Sequence, residues 1–209
     1  MASPIPRLYA IIDPVQAGGG AALQVAETLL SAGVRLIQLR DKQASTRDLF
    51  EQARLVAVCV RSENGIFILN DRADVARAAG ADGVHVGQED LPVELARQIL
   101  GEGKWVGYST HVLAQVVEAD KSSADYIAFG PIFPTASKAR PDPAVGLEGL
   151  REARQATGKP LVAIGGITLQ NARQVIEAGA DSVAVIRGLL EAPDLAKRAQ
   201  EFLKVLGSL

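Results

Sequence analysis

The sequence predicts an α/β fold, a single (β/α)8 (TIM) barrel, on three observations. Short runs rich in β-branched residues alternate with alanine-rich amphipathic segments, eight of each, in strict order. Several runs are apolar at nearly every position, as in Ile66-Phe67-Ile68-Leu69 and Leu161-Val162-Ala163-Ile164, which suits parallel strands covered on both faces. At 209 residues the chain has the length at which one such barrel closes, so one catalytic domain over residues 1–209 is expected.

The first strand, residues 8–13, runs into a turn marked by Pro14 and Gly18-Gly19-Gly20, and a helix follows over 21–31 with its stop near Gly33. Strand 34–41 precedes helix 46–61, in which Leu49, Ala53, Val56 and Val60 share one face. Strand 65–71 leads to helix 74–79 and Gly80, and strand 83–86 to helix 92–100 and Gly101. Strand 105–110 is followed by helix 112–121. Strand 126–131 is followed by the long irregular connection 134–146, whose three prolines and length read as a functional lid. Helix 147–156 with Gly158, strand 161–166, helix 169–178 with Gly179, strand 182–188 and helix 194–206 complete the set. A doubly wound open sheet should carry G-x-G-x-x-G after its first strand, and the spacing here does not fit it. An internal echo supports closure: Ala79-Gly80-Ala81-Asp82 recurs as Ala178-Gly179-Ala180-Asp181, half a barrel later.

Lys and Arg number 22 and Asp and Glu 24, a net charge of −2, so no basic excess points to a nucleic acid or an anionic membrane. The hydrophobic share of 48% excludes intrinsic disorder. Cys59 is the lone cysteine and reads as a core residue of the second helix, not a nucleophile. No long apolar run or secretory start is visible, so a cytoplasmic protein acting on small molecules is expected, with a homo-oligomer left open.

In this architecture active sites lie at the carboxyl ends of the strands. Those ends read Gln38-Leu39-Arg40-Asp41-Lys42, Asn70-Asp71-Arg72, Gly87-Gln88-Glu89-Asp90, Ser109-Thr110-His111, Gly130 to Lys138, Gly165-Gly166-Ile167 and Ile186-Arg187-Gly188. Two anion-binding features stand out. Gly165-Gly166 and Arg187-Gly188 follow the seventh and eighth strands, where backbone N–H groups often hold a phosphate. Arg40, Lys42 and Lys138 mix with Asp71 and Asp90 on neighbouring strands, a combination that a pyrophosphate with Mg2+ would balance. Oxygen donors without a cysteine or histidine cluster favour magnesium over zinc. Each residue also has a plain structural reading: Asp71 and Asp90 as helix caps, Lys138 and Arg140 as a solvated loop face. His111 reads as an acid or base, as a cap, or as a hydrogen-bonded structural residue, and His85 as packing within the sheet.

Together these segments resemble the thiamine-phosphate synthase family, over nearly the whole chain and in family order. The matches are Gln38 to Lys42, Asn70-Asp71-Arg72, His85 to Asp90, Ser109-Thr110-His111, Gly130 to Thr135 and Ala163 to Ile167. The resemblance implies that Gln38, Leu39, Arg40, Asp41, Lys42, Asn70, Ser109 and Lys138 hold an aminopyrimidine pyrophosphate, with Arg40, Lys42, Ser109 and Lys138 acting in catalysis. It implies Asp71 and Asp90 as Mg2+ ligands, and Thr135, Ala136, Ser137, Gly165, Gly166, Ile186 and Arg187 around a thiazole phosphate. The family reaction is dissociative: pyrophosphate leaves, a pyrimidine carbocation forms, and the thiazole nitrogen attacks it. Ser137 stands where the family usually has threonine, and Arg187 where it commonly has serine. Two other readings are a thiazole tautomerase of the same fold, in which His111 would move a proton, and a non-catalytic sensor of thiazole phosphate. The first leaves Asn70, Asp71, Asp90 and Lys138 without a purpose; the second needs only the glycine loops.

Overall fold

The computed structural model describes residues 5–135 and 143–207. Eight parallel strands pair in chain order and close into a barrel: β1 (Leu8–Ile12), β2 (Leu36–Leu39), β3 (Ile66–Asn70), β4 (Gly83–Val86), β5 (Trp105–Thr110), β6 (Tyr126–Phe129), β7 (Leu161–Ala163) and β8 (Ser182–Val185). Pairing of Leu8 with Val183 and Tyr9 with Ala184 closes the ring. The covering helices are α1 (Ala22–Ser31), α2 (Thr46–Ser62), α3 (Ala73–Ala79), α4 (Val93–Leu100), α5 (Leu113–Lys121), α6 (Gly146–Ala156), α7 (Ala172–Glu177), α8 (Arg187–Leu190) and α9 (Leu195–Leu206). Among the described residues, no helix is long and apolar enough to cross a membrane.

Because side chains alternate across a strand, two cores form. Outward-facing residues such as Ile37, Leu39, Phe67, Leu69, Val84 and Phe129 pack under the helices. Full burial of each large aliphatic side chain there is worth about 1.5–3 kcal/mol. Tyr9, Leu36, Ile68, Tyr126, Val162 and Ala184 fill the barrel interior instead. Along the inner face the character changes with height: Leu36 is followed by Gln38, Ile68 by Asn70, and Trp105 by Gly107 and Ser109. The interior is therefore plugged with apolar groups at one end and polar at the other, where the strands finish.

The helices form as their patterns require. On α2 the buried face is Leu49, Ala53, Val56, Ala57 and Val60, and the Ser45 hydroxyl caps its start by accepting from the Asp48 N–H at 3.2 Å. A cap of this kind contributes about 1 kcal/mol. α3 ends on Gly80 at φ +74, a left-handed stop. The repeated Ala-Gly-Ala-Asp has one structural task in both halves. Asp82 accepts the Phe67 N–H at 2.9 Å and Asp181 the Leu161 N–H at 2.8 Å, so each carboxylate satisfies the start of the preceding strand.

Several boundaries differ from the sequence reading. β6, β7 and β8 end at Phe129, Ala163 and Val185, several residues earlier than the apolar runs, because the chain turns sharply at Gly130, Gly165 and Arg187. The seventh helix begins at Ala172, after a turn that Asn171 closes by accepting the Thr168 N–H at 2.8 Å. Arg187 and Gly188, read as the end of the eighth strand, instead open the short α8, whose Leu189 and Leu190 continue the apolar character of Ile186.

Candidate active site

The polar inner ends of the strands open into a cavity of about 1280 Å³. Of the residues singled out from sequence, Gln38, Arg40, Lys42, Asn70, Asp71, Asp90, Ser109, Thr135, Gly165, Gly166, Ile186 and Arg187 line it together. Leu39 and Asp41 do not. Strand alternation turns Leu39 outward into the helix-side core, where it is fully buried. Asp41 folds back to accept the N–H groups of Gln43 and Ala44, both at 3.0 Å, and the Gln52 amide at 3.3 Å. Ala136, Ser137 and Lys138 lie outside the described residues, as does most of the expected lid.

One side of the cavity is acidic and cationic. Asp71 follows β3 with φ +60, a left-handed conformation uncommon outside glycine, and its N–H donates to the His85 carbonyl at 2.8 Å. That geometry brings its carboxyl near Asp90, close enough for the two to influence each other, and to Lys42 at 3.2 Å. Burial, above all, raises the Asp71 carboxyl above the usual carboxylate range; Asp90 pushes the same way, and Lys42 opposes both. Asp90 is not the cap of α4: its carboxylate instead accepts the Gly87 N–H at 2.7 Å, which holds it over the cavity. Arg40 pairs with Asp13, a buried residue that also accepts the Val15 and Gln16 N–H groups. Sequence reasoning missed this role for Asp13, because nothing local links two residues on different strands.

The other side is built from glycine. Gly165 and Gly166 sit at φ +86 and +66. A Cβ on Gly165 would fall 2.4 Å from Pro131 Cβ, and one on Gly166 2.7 Å from the carbonyl oxygens of Phe133 and Pro134. Positive φ and the close approach of the loop after β6 both exclude a side chain. Beside this turn, α8 begins at Arg187, whose guanidinium pairs with Glu191 one turn along.

Between the two sides runs a buried polar row that the apolar pattern concealed. The Gln38 amide donates to Tyr9 Oη at 2.7 Å, Tyr9 meets Tyr126 Oη at 2.9 Å, and Tyr126 meets His85 Nδ1 at 3.0 Å. His85 Nε2 in turn lies 2.8 Å from Ser109 Oγ. His85 is thus in the sheet, as its sequence context suggests, yet faces inward. His111 Nδ1 donates to the Gly130 carbonyl at 2.6 Å, and Gln115 accepts its backbone N–H at 2.7 Å, so the residue ties the loop after β5 to that after β6.

Residues 8–189 match the family model described as thiamine monophosphate synthase. The thiamine-phosphate synthase of Koribacter versatilis is 51% identical over 98% of this chain and 97% of its own length. That of Methanospirillum hungatei is 40% identical, over 95% and 97%. The solved thiamine phosphate pyrophosphorylase of Pyrococcus furiosus superposes with a TM-score of 0.87 at 36% identity, covering 97% of this chain and 96% of that one. A barrel whose acidic corner and double-glycine turn share one cavity, matched along nearly its whole length, belongs to the thiamine monophosphate synthase family.

Proposed function

We propose that the chain joins 4-amino-2-methyl-5-hydroxymethylpyrimidine pyrophosphate to 4-methyl-5-hydroxyethylthiazole phosphate, forming thiamine phosphate and pyrophosphate. As a member of its family it is a transferase. The observation that carries the reading is the opening of the Asp71–Asp90 corner, with Arg40 and Lys42, onto the same cavity as Gly165-Gly166. The cavity exceeds the roughly 300–1,000 Å³ usual for one ligand, which suits two substrates side by side.

Two neighbouring carboxylates, both hard oxygen donors, fit a divalent cation whose remaining ligands are substrate oxygens and water. Among the described residues no group of three or more His, Cys, Asp and Glu gathers. Bound there by Asp71 and Asp90, Mg2+ would supply charge stabilisation to the departing pyrophosphate. Arg40 and Lys42 attract the same oxygens, more strongly as the C–O bond breaks and its electron pair leaves with the pyrophosphate. Family motif adds Lys138 to this group. Gln38 and Asn70 orient the aminopyrimidine, which delocalises the cation. The thiazole nitrogen, its phosphate held at Thr135, Gly165, Gly166, Ile186 and Arg187, gives its lone pair to the methylene carbon, so no protein nucleophile is required.

The test mixes the protein with both substrates and Mg2+ and follows both products. Equal formation of pyrophosphate and thiamine phosphate is expected. Isomerisation of a thiazole without metal, with no coupling when metal is present, would replace this reading with the tautomerase. A second expectation concerns Asp13. Asp13→Asn keeps an acceptor for Val15 and Gln16 but removes the counter-charge of Arg40. The KM for the pyrimidine pyrophosphate should rise about tenfold, and stability fall by about 1–3 kcal/mol in denaturant titration.

A further inference from the structure

The row Gln38, Tyr9, Tyr126, His85, Ser109 joins five strands in one unbroken chain of hydrogen bonds; its two ends line the cavity, as do parts of Tyr9 and His85. Starting from the Gln38 amide as donor, one direction satisfies every hydrogen in the row. Burial pushes both tyrosine hydroxyls well above the ordinary phenol range, so each keeps its single hydrogen. The Gln38 amide nitrogen can only donate, and it occupies Tyr9 as an acceptor. Tyr9 then donates to Tyr126, since its hydrogen would otherwise be buried unpaired, and Tyr126 to Nδ1 of a neutral His85. The imidazole proton is left on Nε2, where it is donated to Ser109 Oγ, and the Ser109 hydrogen is released for the cavity. At the far end, the committed amide nitrogen leaves the Gln38 carbonyl for the cavity.

A second observation shows that the contact is built in. Gly107, in the middle of β5, has Tyr126 Cζ 2.0 Å, Tyr126 Oη 2.3 Å and His85 Nδ1 2.5 Å from where a Cβ would stand. The central link exists only because this inward strand position carries no side chain.

We infer that Tyr9, Tyr126 and His85 are positioning residues that set the hydrogen-bond polarity of both substrate-facing ends at once, through Gln38 and Ser109. This rests on the functional reading above. One end presents an acceptor, matched to the exocyclic amine of the aminopyrimidine. The other presents a donor, matched to the leaving pyrophosphate. Reversing every bond in the row would face an amide NH2 to that amine and serine lone pairs to that anion, a mismatch at both ends. A substrate carrying the two groups therefore selects one direction, and recognition of the ring is coupled to readiness for departure.

Nitrogen NMR of 15N-histidine-labelled protein with inorganic pyrophosphate and Mg2+ reads the direction, because the chain holds two histidines. His85 is expected to carry its proton on Nε2 and His111 on Nδ1, two opposite tautomers in one spectrum. Tyr126→Phe should remove the single His85 tautomer and lower kcat about 10- to 100-fold, the scale of lost outer-shell orientation, with the KM for thiazole phosphate little changed. Tyr9→Phe, which breaks the row one link earlier, should act in the same sense and serves if Tyr126→Phe does not fold. A wild-type His85 protonated on Nδ1 overturns the inference. So does a folded variant of either tyrosine whose His85 signal and kcat both match the wild type. If the wild type releases no pyrophosphate from its substrates, the functional reading fails first and takes this inference with it; if it does, the inference stands or falls alone.

Discussion

Replacing Asp71 by asparagine is expected to lower kcat about 10²- to 10³-fold, the scale of one lost electrostatic stabiliser, while raising Tm in metal-free buffer. Asparagine keeps the shape and tolerates the φ of +60 at this position, so the backbone has no reason to move. What changes is charge. The Asp71 carboxyl lies above its usual range, mainly through burial and then through Asp90, so its folded-state pKa exceeds the unfolded one. A group raised in this way contributes fully to stability below the unfolded pKa and loses that contribution as pH rises through the folded pKa. At neutral pH the ionised Asp71 is therefore a net cost, which asparagine removes. For a chain of this size each 1 kcal/mol recovered shifts Tm by about 2–4 °C. The difference should shrink as pH falls and vanish below the unfolded-chain value of about 4, where the wild-type carboxyl becomes protonated in both states. Added Mg2+ should raise the Tm of the wild type and not of the variant. Thermal melts with and without EDTA check both signs. A variant that keeps wild-type turnover would remove Asp71 from the reaction.

Gly166→Ala should act on the opposite side of the cavity. Its Cβ would meet the Phe133 and Pro134 carbonyl oxygens at 2.7 Å, at a backbone φ of +66. The left-handed conformation costs about 1–2 kcal/mol for alanine, and the forced displacement about 1–3 kcal/mol more. The loop after β6 must shift, and with it the backbone donors assigned to the thiazole phosphate. Loss of one such charged hydrogen bond, about 1.5–3 kcal/mol, corresponds to a KM for thiazole phosphate higher by about 10- to 100-fold. Gly158→Ala is the control, since no atom lies within 4 Å of its Cβ position and its φ is ordinary. Steady-state kinetics on the two variants separates them. Unchanged thiazole-phosphate KM in a folded Gly166→Ala protein would move the phosphate elsewhere.

The limits of sequence reading follow from where information lies along the chain. The order of strands and helices, the helix stop at Gly80 and the buried face of α2 depend on neighbours a few residues away, and all were legible. So was the set of polar groups at the strand ends, because a charge where an apolar run stops is itself local. The strand ends were less legible: Gly165, Gly166 and the start of α8 were read into strands because their surroundings remain apolar. Among the expected substrate residues, Leu39 and Asp41 sit in the motif beside Gln38 and Arg40, yet the side chain of one faces the helices and that of the other caps a turn.

The sequence by itself determined a closed eight-unit barrel and the side chains at its polar mouth. Only the tertiary structure decided which of them meet. The pairing of Arg40 with Asp13, the nearness of Asp71 to Asp90 and the row from Gln38 to Ser109 each join different strands or loops. The physical reason is that strand register and barrel closure set which inward-facing residues lie at the same height, and a strand buried on both faces shows no alternation by which its sequence could announce them.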